Sequence, residues 1–150
     1  MVRIVEGDLF EANANIICHQ VNCQGVMGSG VALLVKQKYP QVFEEYELYC
    51  TENEGNLLGK VLTVNCPDGK VICNLFAQDR FGYDGKCYTS YEALKECFDY
   101  LRKYASEKDE IAMPYLMGCH RGGGDWNKVY AMLEEIFVDH YVVLYRKDAN

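Results

Sequence analysis

The sequence contains no C-x-x-C pair, no basic tract and no apolar run approaching the ~20 residues that a membrane-spanning helix needs. It also has no internal repeat, linker or low-complexity segment. Each absence removes a class of protein. Without C-x-x-C, a zinc ribbon or a thioredoxin-like motif has no support, and no other metal-ligand spacing is visible. The expectation is therefore no metal and no resident cofactor. Proteins that grip nucleic acid through its phosphates usually carry a basic face. Here the net charge is −7 and the only local basic excess is around Lys36 and Lys38. Bulk electrostatics thus disfavour DNA or RNA as the main ligand. A small anion held by backbone N–H groups needs no net positive charge and stays open.

Eight cysteines are present: Cys18, Cys23, Cys50, Cys66, Cys73, Cys87, Cys97 and Cys119. An even count invites a disulfide framework. Against it, the chain enters a strand-like pattern at once, with no signal-peptide pattern ahead, and Cys18 and Cys73 lie inside apolar runs. Free thiols in a reducing cytoplasm are expected. The length of 150 residues suits one domain, residues 1–150, and 49% apolar content is enough for an ordinary core. The sequence says nothing about oligomeric state.

The residues present alternate between two periodicities. Val2 to Glu6 is short and β-branched, and Gly7-Asp8 ends it. Ile16 to Val21 has strand length and reads as buried on both faces. Val31 to Tyr39 is helical, with apolar positions at Val31, Leu34 and Val35, and Pro40 opens another helix. Lys60 to Val64 and Lys70 to Phe76 flank Pro67-Asp68-Gly69, where proline presets φ and glycine supplies positive φ, so they read as a hairpin. Ser90 is placed to cap a helix with apolar positions at Tyr91, Leu94, Phe98, Leu101 and Ala105. Glu110 to Pro114 is a strand, Asp125 an N-cap for the helix Trp126 to Phe137, and Tyr141 to Tyr145 the last strand. His140, just ahead of it, is expected to face solvent. Helices alternating with strands around one hairpin imply an α/β fold: a mixed sheet with helices on both faces.

Two glycine-rich stretches, Gly25 to Gly30 and Gly118 to Gly124, each lie between a strand and a helix. Ligands of α/β folds bind there, at the carboxyl ends of strands. Glycine lets backbone approach a phosphate, and the following helix offers free N–H groups and a positive dipole end. Either loop alone is equally well explained as a tight turn, and neither has a Walker sequence. Two in one small domain favour binding.

The run N-C-Q-G-V-M-G-S-G-V-A (Asn22 to Ala32) follows an apolar strand. M-P-Y-L-M-G-C (Met113 to Cys119) precedes the second loop, six residues separate Cys119 from Trp126, and Gly7-Asp8-Leu9-Phe10 follows the first strand. Together these resemble the macrodomain family over nearly the whole chain. The nearest branch holds terminal ADP-ribose protein glycohydrolase and the yeast-type ADP-ribose-1''-phosphate phosphatase. The resemblance implies a three-layer α/β/α fold with a mixed, mostly parallel sheet and an ADP-ribose ligand. It assigns Asp8 to the adenine amino group, with Leu9 packed beside it. Gly28, Ser29 and Gly30 match the first diphosphate loop. Asn22 and Gln24 lie toward the distal ribose, and Gly118, Cys119, His120, Arg121, Gly122 and Gly123 match the second loop. Without the resemblance, Asp8 reads as a turn aspartate.

The chain departs from the lysine-dependent glycohydrolases. Their attacking lysine corresponds to Ala77-Gln78, and their acidic residue to Gly122. Both partners of that mechanism are missing; Asp125 is explained as a cap and Lys86 as solvated. The phosphatase branch carries a histidine where His19 stands. His19 and His120 are the candidate acid–base groups, with a hydrogen-bonded strand histidine as the plainer reading of His19. Phe81, Tyr83 and Tyr88 could cover a base or ribose, although packing is the commoner fate of such residues. Three functions remain open: a reader of ADP-ribose, a hydrolase of an ADP-ribose derivative using an activated water, and a structural domain.

Overall fold

A computed structural model describes residues 1–82, 84–119 and 122–147. The strands are β1 (Val2–Glu6), β2 (Ile16–Asn22), β3 (Val61–Asn65), β4 (Val71–Gln78), β5 (Glu110–Pro114) and β6 (Tyr141–Arg146). The helices are α1 (Gly30–Lys38), α2 (Pro40–Glu52), α3 (Tyr91–Tyr104) and α4 (Trp126–Ile136), with a 3-10 turn at Leu9–Glu11. They build one six-stranded sheet in the order β1-β6-β5-β2-β4-β3. Among the described strands only the β3–β4 pair is antiparallel, so the sheet is mixed and mostly parallel.

The core divides along the pleat of the central strands. Cys18 of β2 and Cys73 of β4 face one way, into a cluster with Leu94, Phe98, Leu101, Val129, Leu133 and Phe137 of the α3–α4 side. Ile17 and Ile72 face the other way, against Val35, Val42 and Tyr46 of α1 and α2. Two buried faces explain why β2 is a continuous apolar run rather than an alternating one. Three layers result, with helices on both sides of the sheet. Burying one side chain of the size of Phe98, which packs edge-on to Phe137, contributes about 2–3 kcal/mol.

Local signals hold where they have a mechanism. Ser90 accepts from the Ala93 amide and Asp125 from the Asn127 amide, each capping its helix. The β3–β4 turn has Asp68 accepting from the Lys70 amide and Gly69 at φ 86°. Two expectations shift. In α1 Val35 is fully buried, whereas Leu34 is 44% exposed. Val31 and Ala32 of this helix turn toward a cavity, so its face serves core and cavity in succession. His140 does not face solvent: it is 4% exposed, its Nδ1 lies 2.8 Å from Asp139 Oδ1 and its Nε2 3.1 Å from the Ala105 carbonyl. It ties the end of α3 to the turn before β6, and Arg102 of α3 reaches the same Asp139 at 2.8 Å.

Candidate functional site

Parallel strands β2, β4, β5 and β6 deliver their carboxyl ends to one side of the sheet, and a cavity of about 500 Å³ opens there. That is a size suited to a small organic ligand. Asn22, Gly28, Ser29 and Gly30 line it from the first loop, and Gly118 and Gly122 from the second. Gln78 and Phe81 close the end beside β4, and Tyr145, Arg146 and Lys147 the end beside β6. Among the described lining residues, Arg146 and Lys147 carry positive charge and none carries a carboxylate. This stands out in a chain of net charge −7.

The first loop is built on its own asparagine. Asn22 Oδ1 accepts from the Gln24 amide at 2.9 Å, and Asn22 Nδ2 donates to the Val26 carbonyl at 2.8 Å. The buried Tyr46 hydroxyl lies 2.7 Å from the Asn22 carbonyl and 2.9 Å from its Oδ1. Gln24 Nε2 and the Cys23 amide both donate to the Asp79 carbonyl, stapling the loop to the chain leaving β4. Ser29 is the N-cap of α1 but makes no side-chain capping bond. The first-turn N–H groups of α1 therefore open on the cavity that Gly28 to Ala32 line.

The second loop is clamped from outside. The amides of Tyr88 and Thr89 both donate to the Gly122 carbonyl, at 2.6 and 3.0 Å. The Thr89 hydroxyl and the Gly124 amide donate to the Gly118 carbonyl, at 2.6 and 2.9 Å. A Cβ at Gly122 would overlap Thr89 Oγ1 and lie 2.7 Å from the Gly118 carbonyl oxygen. No acidic side chain fits there without displacing Thr89. Leu116, at the entry to this loop, holds φ 64°, a left-handed conformation that costs a non-glycine residue about 1–2 kcal/mol. It too lines the cavity.

His19 lines the cavity yet is only 1% exposed. Its Nε2 lies 2.6 Å from Asn74 Oδ1, while Asn74 Nδ2 donates to the Leu62 carbonyl at 3.0 Å. That second bond fixes the Asn74 amide, so His19 Nε2 is the donor and Nδ1 carries the lone pair. Nδ1 is buried and has no partner among the described residues. Burial pushes the imidazole down to about 4, with the Asn74 bond opposing only in part. His19 is therefore neutral near pH 7 and offers an acceptor, not a proton.

Asp8 is both a turn residue and a neighbour of the cavity. Its Oδ1 accepts from the Phe10 amide at 2.9 Å, and its Oδ2 lies 3.5 Å from Lys147 Nζ. Asp8, Leu9, Gln24, Cys119 and Gly123 are not among the described residues lining the cavity. Leu9 is buried in the α1–α2 core, and Gly123 packs on the chain at Lys86. His120, Arg121 and Tyr83 lie outside the described residues. Lys86 is exposed and sits 3.8 Å from Asp84. Sequence reasoning passed over Gln20, Tyr115, Leu116, Tyr145, Arg146 and Lys147, all of which line the cavity. The carboxyl-end rule for parallel strands, applied to β5 and β6 as well as β2, would have found most of them. Among the described residues no group of three or more His, Cys, Asp or Glu could hold a metal ion. None of their helices is long and apolar enough to cross a membrane.

The sequence model of the Macro domain family matches residues 18–133. A DNA ADP-ribosyl glycohydrolase of Mycobacterium tuberculosis is 32% identical over 140 residues, covering 91% of this chain and 39% of that protein. The chain thus spans well under half the length of that relative. An ADP-ribose 1''-phosphate phosphatase of Saccharomyces cerevisiae is 27% identical over 114 residues, 73% of this chain and 64% of that one. Among solved structures, the macrodomain of Mycobacterium tuberculosis DarG superposes with a TM-score of 0.81 at 30% identity, covering 97% of both chains. A six-stranded mixed sheet between two helical layers, a cavity at its strand ends between two glycine loops, and a match over most of the length have one reading: the chain belongs to the Macro domain family.

Proposed function

We propose that this chain binds ADP-ribose, or a derivative of it, across the strand ends between the two glycine loops. The observation that carries this is the uncapped first turn of α1, which the first glycine loop brings to the cavity wall. The described lining adds Arg146 and Lys147 and no carboxylate, although Arg146 is ion-paired with Glu6 and Lys147 lies 3.5 Å from Asp8, just outside it. An extended anion suits such a cavity. In this reading Asp8 receives the adenine amino group beside Leu9, at the β1–β6 end. Gly28, Ser29 and Gly30 cradle the diphosphate with the N–H groups of α1. Gly118, Cys119, Gly122 and Gly123, with His120 and Arg121, wrap the phosphate and distal ribose. Asn22 and Gln24 hold the loop that faces that ribose. The whole of residues 1–150 acts as one macrodomain, in the cytoplasm; eight free thiols agree with a reducing setting.

A second reading rests on His19. A neutral imidazole with an unpartnered Nδ1 in a cavity-lining position can accept a proton from a water, and so assist hydrolysis of a substituent on the distal ribose, such as a 1''-phosphate. A lysine-dependent route is outside this proposal: the resemblance puts Ala77-Gln78 where the lysine would stand and Gly122 where the acid would, and Asp125 is engaged as the α4 cap. Titration calorimetry with ADP-ribose tests the central claim, and no heat of binding at millimolar ligand sinks it. Turnover of ADP-ribose-1''-phosphate, measured for the wild type, His19→Ala and His120→Ala, separates reader from hydrolase. Activity that survives both changes removes the histidines from the mechanism.

A further inference from the structure

Beneath the second loop lies a chain of side-chain amides that ends on a hydroxyl. Gln20 Nε2 donates to Gln78 Oε1 at 2.8 Å and to Thr89 Oγ1 at 2.9 Å. Every orientation in it is determined. The Thr89 hydroxyl spends its proton on the Gly118 carbonyl at 2.6 Å, so its oxygen can only accept from Gln20. Gln78 Nε2 donates to the Arg80 carbonyl at 2.8 Å, so its Oε1 must be the atom facing Gln20. A backbone bridge between Gln78 and Thr89 sets their spacing. Gln20 Oε1 is left buried, with no partner among the described residues. A buried acceptor without a donor weakens a fold.

We propose that Gln20 is a positioning residue for the ligand: acting through Thr89, it holds the Gly118 carbonyl away from the anion. A peptide carbonyl turned into the cavity would point its negative end at a phosphate. Bound to Thr89 and to the Gly124 amide, it stays beneath the loop, and the glycine backbone presents its other side to the ligand. The relay also accounts for the glycines above it. A Cβ at Gly118 would lie 2.8 Å from Gln20 Oε1, and one at Gly122 3.0 Å from Gln20 Nε2.

This inference rests on the ADP-ribose reading above. Its test is calorimetry with ADP-ribose on Gln20→Met, Thr89→Val, the double variant and Thr89→Ser, each with a thermal unfolding midpoint. Each of the first two weakens binding about tenfold, on the scale of one to two neutral hydrogen bonds. The double variant binds no more weakly than the poorer single one, because both break the same relay. Thr89→Ser keeps the hydroxyl and recovers most of the affinity. The relay is overturned if Gln20→Met binds like the wild type, if the two losses multiply, or if serine is no better than valine. Affinity losses that merely track falling stability across all four variants overturn it as well. Should Gln20→Met fail to fold, Gln20→Leu, which also lacks the donor, takes its place in the same comparison. A wild type that binds no ADP-ribose takes down both readings, whereas a wild type that binds with variants that do not follow takes down only the relay.

Discussion

The two glycine loops line the same cavity but are built on opposite principles. The first is shaped chiefly by its own side chain, with Asn22 bonded to Gln24 and Val26 within five residues, and is anchored from outside by the Tyr46 hydroxyl and the Asp79 carbonyl. Space around its glycines is open, with no atom within 4 Å of a Cβ at Gly25 or Gly30. The second is held by its neighbours, through Tyr88, Thr89 and Gln20, and a Cβ at Gly118, Gly122, Gly123 or Gly124 would stand under 3 Å from another atom. Glycine thus serves conformation and ligand access in one loop and close packing in the other. Strand β2 supports both, because its consecutive residues face opposite ways. His19, on the face of Ile17, pairs with Asn74 on the α1 side, and Gln20 pairs with Gln78 and Thr89 on the α3 side.

The largest difference is expected at Gly122. Gly122→Ala forces a methyl group onto Thr89 Oγ1 and the Gly118 carbonyl. Overpacking of this kind costs about 3 kcal/mol, and it should abolish ADP-ribose binding with it. Urea unfolding gives the first number and calorimetry the second. If Gly122→Ala is as stable as the wild type, the second loop is not clamped as described and the contrast between the loops fails.

The same contrast explains what could be read in the sequence. Helix caps at Ser90 and Asp125 and the turn at Asp68-Gly69 are local chemistry, spelled out within three residues, and each occurs where expected. Glycine runs after strands located both loops for the same reason. The supports of the second loop were not legible, because Gln20 and Thr89 are 69 residues apart and neither carries a motif. His140 was misplaced on the same ground: its partner is the Ala105 carbonyl, 35 residues away. Arg146 and Lys147 were passed over since nothing in a final strand's composition marks its end as a cavity wall. Long-range polar contacts between unremarkable residues are set by topology, and topology was visible only in outline.

Of the two polar pairs that β2 makes on its opposite faces, His19–Asn74 should titrate and Gln20–Gln78 should not. His19 falls from an ordinary 6.5 to about 4 on folding, because burial disfavours its charged form. The unfolded chain therefore binds the extra proton between those values. Stability contributed by the neutral imidazole is present above the unfolded value and is lost as pH falls toward the folded one. From ~pH 7.5 to ~pH 5 this amounts to roughly 2 kcal/mol from this one group. His19→Gln should flatten that part of the profile, as read by urea unfolding at both pH values. Gln20→Met, with no ionisable group involved, should leave the slope unchanged. An unaltered slope in His19→Gln would mean that the imidazole is not held neutral by its surroundings.

Within the first loop the comparison separates backbone conformation from ligand access. Gly25 has φ 75° and open space around it, so Gly25→Ala meets no atom and suffers only the left-handed penalty of about 1 kcal/mol. Gly28 has neither constraint: its φ is ordinary, and a Cβ there would meet only Val26, at 3.5 Å. Gly28→Ala should change stability by less than about 0.5 kcal/mol, as surface substitutions free of strain do. Because Gly28 lines the cavity, the added methyl group occupies space that a diphosphate would need. Its affinity for ADP-ribose should fall several-fold while its unfolding curve overlays that of the wild type. A Gly28→Ala protein that binds as well as the wild type would move the anion away from the first loop and onto the second alone.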